Sequence, residues 1–346
     1  MLHEGLSNTE IANLIEDRSK YRRLRVYVIG DFGSGDAWQA KVAEAMILLA
    51  KKEPPDLVLG TGDCIYPSGD GECPTTSATT ILSKRFDPYY KELATDFFQC
   101  LGNHDLIDVF GGDSTPMIAH TLQSSVWRMP SSSYRIQKLP PWLAIYILNS
   151  NVFGFDGYLA ESALFSVSAM EHELASVSAA FSKFRGLKIL VGHHPVFTPG
   201  KRTYRYRGDG EIRCMRRLRE FIETLGIHFY LSGHEHHQSH TTGRACEYII
   251  QGCGGVGKKP NPKHSRRKNG TRLDDKVFRF LEVMNGFAVL DIDGHFSVRL
   301  RFVGIPWDAP ADEYRVIYKH YWAGLDEIGK RSLSAAGNSG GWHERR

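Results

Sequence analysis

Three short apolar runs open the main body of the chain, LRVYVIG (24–30), DLVLG (56–60) and DFFQCLG (96–102), and each stops at a glycine-bearing polar turn: GDFG, GTGDCIY and GNHD. Runs of this kind, bounded by turn residues, are the pattern of strands buried on both faces of an α/β sheet. Between the first two lies AWQAKVAEAMILLAKK (37–52), whose apolar residues return at helical spacing until Pro54-Pro55 stop the helix. A shorter amphipathic helix is expected over 8–20, with Ile11, Leu14 and Ile15 behind Ser7 or Asn8 as a cap.

Further along, SYRIQKLPPWLAIYILNS (133–150) predicts two strands around a Pro-Pro turn, and a helix follows at 165–185. The pattern then repeats: KILVGHHP (188–195) is a strand entering a histidine turn, RCMRRLREFIETLG (213–226) a helix closed by Gly226, and IHFYLSGHEHH (227–237) another strand entering a histidine turn. CEYIIQGCGG (246–255) and a pair around 277–302, turning at DGH (293–295), read as antiparallel strands of a second sheet. KKPNPKHSRRKNG (258–270) and the end from about 330 fall outside this regular pattern, and the latter reads as loosely attached. The chain shows neither an internal repeat nor a linker long enough to divide it.

Composition fits that picture without extending it. Of 346 residues, 42% are hydrophobic and 24% charged, and the mean hydropathy of −0.32 is that of a globular chain. The net charge of +4 is too weak to argue for nucleic acid. No stretch reaches the roughly 18 apolar residues of a membrane span, and MLHEGLSNTEIANLIEDRSKYRR lacks the apolar core of a secretory signal. The expectation is therefore a soluble, cytoplasmic protein with no membrane partner. Six cysteines form no CxxC pair and read as mostly buried or reduced thiols; a Cys64–Cys73 bridge across a short loop is the one pairing considered.

Histidine changes the picture. There are 15, and His104, His193, His194, His234, His236, His237 and His240 crowd into three short segments. Five strand-end motifs follow one another: GDFG with Asp31, GTGDCIY with Asp63 and Tyr66, LGNHD with Asn103 and His104, VGHHP with His193, and SGHEHH with His234 and His236. Each alone is weak, but all five fall where α/β proteins place ligands. Carboxylate and phenolate oxygens, imidazole and an amide oxygen suit two adjacent metal ions and hydrolytic chemistry, with no thiolate required.

In these motifs the chain resembles the calcineurin-like metallophosphoesterases and, within them, the purple acid (tartrate-resistant acid) phosphatases. The likeness covers most of residues 24–302, and Tyr66, three residues after Asp63, discriminates the latter group. The resemblance implies a four-layer α/β (α+β) sandwich, two mixed β-sheets flanked by helices. The element pattern divides the chain into an N-terminal helical extension (1–20), a catalytic domain (21–305) and a C-terminal extension (306–346). Asp31, Asp63, Tyr66 and His236 would hold a ferric ion, with Asp63 bridging to a divalent iron, zinc or manganese that also takes Asn103, His193 and His234. A metal-bound hydroxide would then attack phosphorus in line. His104 resembles the outer-sphere histidine that contacts phosphate or protonates the leaving oxygen, and Asp105 orients it or caps the following turn.

The site edge departs from the family. His194 stands where Tyr is common and His237 where Asn is common, each read as either solvent-exposed or in contact with substrate. The stretch KRTYRYRGDGEIR (201–213) replaces a second outer-sphere histidine. Its Lys201, Arg202 and Arg205 form either a cationic lip for anionic substrate or a solvated loop. Three functions compete. The first is a phosphomonoesterase acting on a phosphorylated small molecule or nucleotide. The second is a phosphodiesterase or nucleotide hydrolase with a divalent metal pair, and the third a catalytically silent module of the same fold. Tyr66 favours the first, the intact ligand set disfavours the third, and a cytoplasmic setting implies a pH optimum nearer neutral than the family name suggests.

Overall fold

The computed structural model describes residues 5–66, 78–109, 113–153, 167–199, 215–256, 272–273 and 276–329. The first four strands, β1 (Arg23–Ile29), β2 (Leu57–Gly60), β3 (Phe97–Gln99) and β4 (Trp127–Arg128), lie parallel in one sheet. The chain then crosses to a second sheet. It is built from β5 (Tyr134–Arg135), β6 (Leu143–Ile147), β7 (Leu187–Val191), β8 (Phe229–Ser232), β9 (Gln238–Thr242), β10 (Glu247–Gln251), β11 (Arg272–Leu273) and β12 (Lys276–Glu282). It returns to the first sheet with β13 (Gly286–Asp293), β14 (Val298–Gly304) and β15 (Arg315–Trp322). The strand orders are β15-β14-β13-β1-β2-β3-β4 and β11-β12-β9-β10-β8-β7-β6-β5, and both sheets are mixed.

Strand alternation explains the layering. In β6, Leu143, Ile145 and Ile147 face the core between the sheets, whereas Ala144 and Tyr146 face a separate cluster. In β8, Phe229 and Leu231 point one way and Tyr230 the other. Each large apolar side chain buried in this way contributes roughly 1.5–3 kcal/mol, which is why these runs are mostly apolar. Seven α-helices occur among the described residues: α1 (Asn8–Leu14), α2 (Ala37–Ala50), α3 (Ala78–Arg85), α4 (Asp87–Tyr90), α5 (Thr115–His120), α6 (Val167–Phe181) and α7 (Arg216–Leu225). Leu174, Val177 and Phe181 of α6, with Leu218 and Ile222 of α7, cover the outer face of the second sheet. On the first sheet, α2 buries Val42, Ala43, Ala45, Met46 and Leu49, and Asp36 caps it by accepting the N–H of Trp38 at 2.8 Å.

Two expectations are corrected. The N-terminal helix stops at Leu14 and not near residue 20, since Ile15 is extended and Arg18 is drawn into a buried pair with Asp96 at 2.8 Å. Its cap is Ser7, which forms a capping box with Glu10. The strands at 286–304 do not join 246–251 in the second sheet. β13 pairs antiparallel with β1, Arg23 opposite Asp293 through Val28 opposite Ala288, while β10 lies parallel to β8 and antiparallel to β9. An apolar run reports that both of its faces are buried and is silent on which neighbour buries them.

Candidate metal centre

The carboxyl ends of β1, β2 and β3 meet those of β7 and β8 along one edge of the sandwich. Three residues at this edge, Asp31 (φ 55°), Asp63 (φ 52°) and His234 (φ 67°), take the left-handed conformation directly after a strand-end glycine. A non-glycine residue held there costs on the order of 1 kcal/mol or more and persists only where the surroundings enforce it. They do so here. The Asp31 N–H donates to Gly62 O at 2.9 Å, and the His234 N–H donates to Asp31 Oδ2 at 2.8 Å. Gly62 itself has φ 96°, and a Cβ there would lie 2.5 Å from His193 Nδ1.

Seven side chains converge in two groups that share one atom. Tyr66 Oη lies 3.0 Å from Asp31 Oδ1, 3.1 Å from Asp63 Oδ2 and 3.3 Å from His236 Nε2, and His236 Nε2 is 3.2 Å from Asp31 Oδ1. Asn103 Oδ1 lies 3.1 Å from His193 Nε2 and 2.8 Å from His234 Nδ1, and those two nitrogens are 3.2 Å apart. Asp63 Oδ2 closes the second group at 3.3 Å from His193 Nε2. Asp31, Asp63 and His193 are fully or almost fully buried.

The protons in this cluster are constrained. His193 donates Nδ1–H to Thr61 O at 2.8 Å, so once the ring is neutral its Nε2 faces Asp63 and Asn103 with a lone pair. Oxygen and nitrogen acceptors thus converge on a common volume, a repulsive arrangement that positive charge relieves. Burial disfavours a charged His193, yet the Asp63 and Asp31 carboxylates raise its pKa to about 9. Burial likewise opposes ionisation of Asp63, but His193 and His104 hold it well below the usual carboxylate range. The Tyr66 phenol is pushed far above its ordinary value by burial and by Asp31 and Asp63, so only a strongly polarising cation at Oη would ionise it. This donor set fits two hard or borderline metal ions.

The remaining expected residues fall in different places. The His104 N–H donates to Asp63 Oδ1 at 3.0 Å, and its ring lies 4.6 Å from that of Tyr66, centroid to centroid. Asp105 neither orients that ring nor caps a turn. Its carboxylate accepts backbone N–H groups from Gly102, Asp63, Cys64 and Ile65. His194 is buried behind His193 and His234, with ring centroids at 5.0 and 4.8 Å. The three imidazoles could group about one ion, but Ser150 argues against His194 as the third ligand. Ser150 Oγ accepts N–H bonds from both His193 and His194, so its own proton goes to His194 Nδ1 at 2.9 Å and leaves the ring protonated at Nε2. His237 is also buried, with Nε2 3.1 Å from Ser239 Oγ. Lys201, Arg202 and Arg205 lie outside the described residues. Cys64 is a free, buried thiol donating to Asp105 Oδ1 at 3.1 Å; Cys73, the other half of the expected bridge, lies outside the described residues.

Sequence reasoning missed Thr61, which sets the His193 tautomer, Ser150, and Arg85, whose Nη1 donates to Tyr66 O at 2.8 Å. Thr61 carried a faint signal, lying between the two glycines of GTGD; a single hydroxyl in NSN or a helical Arg carries none.

Comparison with known proteins bears on the family and the fold. The calcineurin-like phosphoesterase family pattern matches residues 24–238. Human (Homo sapiens) tartrate-resistant acid phosphatase type 5 is 24% identical over 265 residues, covering 68% of this chain and 72% of the human one. Among solved structures, GAP50, described as the anchor in the inner membrane complex of Plasmodium, superposes with a TM-score of 0.64 at 16% identity, covering 91% of this chain and 94% of its own. Purple acid phosphatase PPD1 from yellow lupin (Lupinus luteus) seeds superposes with a TM-score of 0.61 at 13% identity, covering 92% of this chain and 56% of that one. Structural likeness at such identities speaks for the fold.

Proposed function

The chain belongs to the calcineurin-like phosphoesterase family, and on that premise we propose that it hydrolyses phosphate monoesters at a dinuclear metal centre, in the manner of a purple acid phosphatase. One observation carries the reading. Asp63 Oδ2 lies between two donor groups, 3.1 Å from the phenol oxygen of one and 3.3 Å from an imidazole nitrogen of the other, as a carboxylate shared by two ions would.

In this reading Asp31, Asp63, Tyr66 and His236 hold a ferric ion, and Asp63, Asn103, His193 and His234 a divalent iron, zinc or manganese. Such a pair supplies what the side chains lack, an acidified water and positive charge for the phosphate oxygens. The chain supplies the rest. Three anionic donors, Asp31, Asp63 and ionised Tyr66, set the charge that the cations must exceed for phosphate to be attracted, which gives a trivalent ion its use. Thr61 fixes His193 with Nε2 inward. His104, beside Tyr66 and not among the donors, contacts the phosphate or gives its proton to the leaving oxygen. Lys201, Arg202 and Arg205, which lie outside the described residues, bind the substrate anion through their positive charge, while His194 and His237 support the ligand turns from behind. No helix among the described residues is long and apolar enough to cross a membrane.

The test is a visible spectrum combined with two substrates. Iron-loaded protein is expected to show a ferric–phenolate band that Tyr66→Phe abolishes, and to favour a phosphomonoester over a matched diester in kcat/KM. A colourless, iron-free and fully active protein overturns the ferric assignment; preference for the diester overturns the substrate class and favours the divalent phosphodiesterase.

A further inference from the structure

The carboxylate of Asp105 is fully buried and saturated. Through Oδ2 it accepts the N–H of Gly102 at 2.8 Å and of Asp63 at 3.0 Å. Through Oδ1 it accepts those of Cys64 at 2.9 Å and Ile65 at 3.1 Å, with the Cys64 thiol also at 3.1 Å. A carboxylate offers about four lone-pair directions, and all are taken. Asp105 therefore has no acceptor capacity for substrate.

What these bonds join is more telling. The amides of 63, 64 and 65 belong to the loop after β2, which carries Asp63 and Tyr66. The amide of 102 belongs to the loop after β3, which carries Asn103 and His104. Neither loop is held by strand pairing at these positions, and the two supply donors to both groups of the centre. We infer that Asp105 is a positioning residue that pre-forms the cradle, fixing the spacing of Asp63, Tyr66 and Asn103 before any metal arrives. This rests on the dinuclear reading above. Preorganisation of this kind removes from metal binding the cost of ordering its own ligands.

The experiment uses the full chain, freed of metal by chelation, and Co²⁺ as the probe. The amides of Asp63, Cys64, Ile65 and Gly102 are expected to exchange slowly with deuterium before Co²⁺ is added. Asp105→Asn replaces one acceptor oxygen with a donor, so one pair of amides loses its partner; each of two Co²⁺ ions is expected to bind at least tenfold more weakly, with an altered d–d spectrum. Glu247→Gln is the control for stability alone. Glu247 is equally buried and accepts from Thr242, Trp322 and Gly329 as well as His240, far along the chain from either loop. It is expected to lower the melting temperature and leave Co²⁺ affinity and spectrum unchanged. Wild-type Co²⁺ affinity and spectrum in Asp105→Asn overturn the inference. So do wild-type amides that gain protection only after Co²⁺, a readout that holds even if the variant fails to fold. A wild-type chain that binds no Co²⁺ overturns the dinuclear reading, and this inference with it, in the titration of the wild type alone.

Discussion

His104 separates its two roles between backbone and ring. The N–H that steadies Asp63 Oδ1 belongs to the main chain, so His104→Ala leaves that bond in place and removes only the imidazole packed beside Tyr66. The expected result is a fall in kcat of about 10²–10³-fold with metal content retained, checked by steady-state kinetics alongside elemental analysis; loss of both metals would make the ring a structural element instead. At this scale the site was largely legible before the structure. Asp31, Asp63, Tyr66, Asn103, His193, His234 and His236 stand in strand-end turns whose glycines and polar residues form short local patterns. Ser150 was not legible, because its contacts with His193 and His194 arise from a turn more than 40 positions away, and nothing local distinguishes it from any loop serine. For Asp105 the local pattern offers an orienter of His104 or a cap of the following turn, and neither shows the bonds it makes, since its partners Cys64 and Ile65 lie in another segment.

Among the elements, β9 is one the hydrophobic pattern could not announce. Its sequence, QSHTT, is polar and yet fully buried between β10 and β12. Such a strand is tolerated only when its polar groups are paired. His240 places one ring nitrogen 2.8 Å from Glu247 Oε2 and the other 2.8 Å from Tyr318 Oη, and Thr242 donates to the same carboxylate oxygen at 2.7 Å. Through Trp322 Nε1 and the Gly329 N–H, Glu247 also ties β15 and the residues after it to the second sheet. Glu247→Gln should cost about 2–4 kcal/mol. Burial disfavours the charged form of Glu247, but His240 and Thr242 hold its pKa below the ordinary 4.5. Its contribution is therefore present above that value and lost as the pH falls through the lowered one. His228, depressed from 6.5 to about 4 by burial and by Lys188, loses its contribution in the same direction. In thermal melts the wild type is expected to lose stability on acidification, and its margin over Glu247→Gln to narrow as the pH falls below the ordinary carboxyl value of 4.5; a margin independent of pH would contradict the assignment.

Over the whole molecule, the chain enters one sheet, leaves it for the other and returns, so that β13 pairs with β1 across more than 250 positions. Periodicity identified most of the apolar strands but not β4, β9 or this closure, because pairing partners leave no trace in a strand buried on both faces. The closure matters to the site, for it leaves the carboxyl ends of β1, β2 and β3 opposite those of β7 and β8, and only there do the five motifs become one cluster. Asp63 is the hinge of that arrangement. The most direct measurement is metal stoichiometry by elemental analysis of the purified full chain and of Asp63→Ala. Two ions per wild-type chain are expected, with both sites weakened together in the variant and phosphatase activity abolished by a chelator and restored by metal. One ion or none in a wild type whose activity a chelator does not touch would contradict a shared carboxylate between two cations.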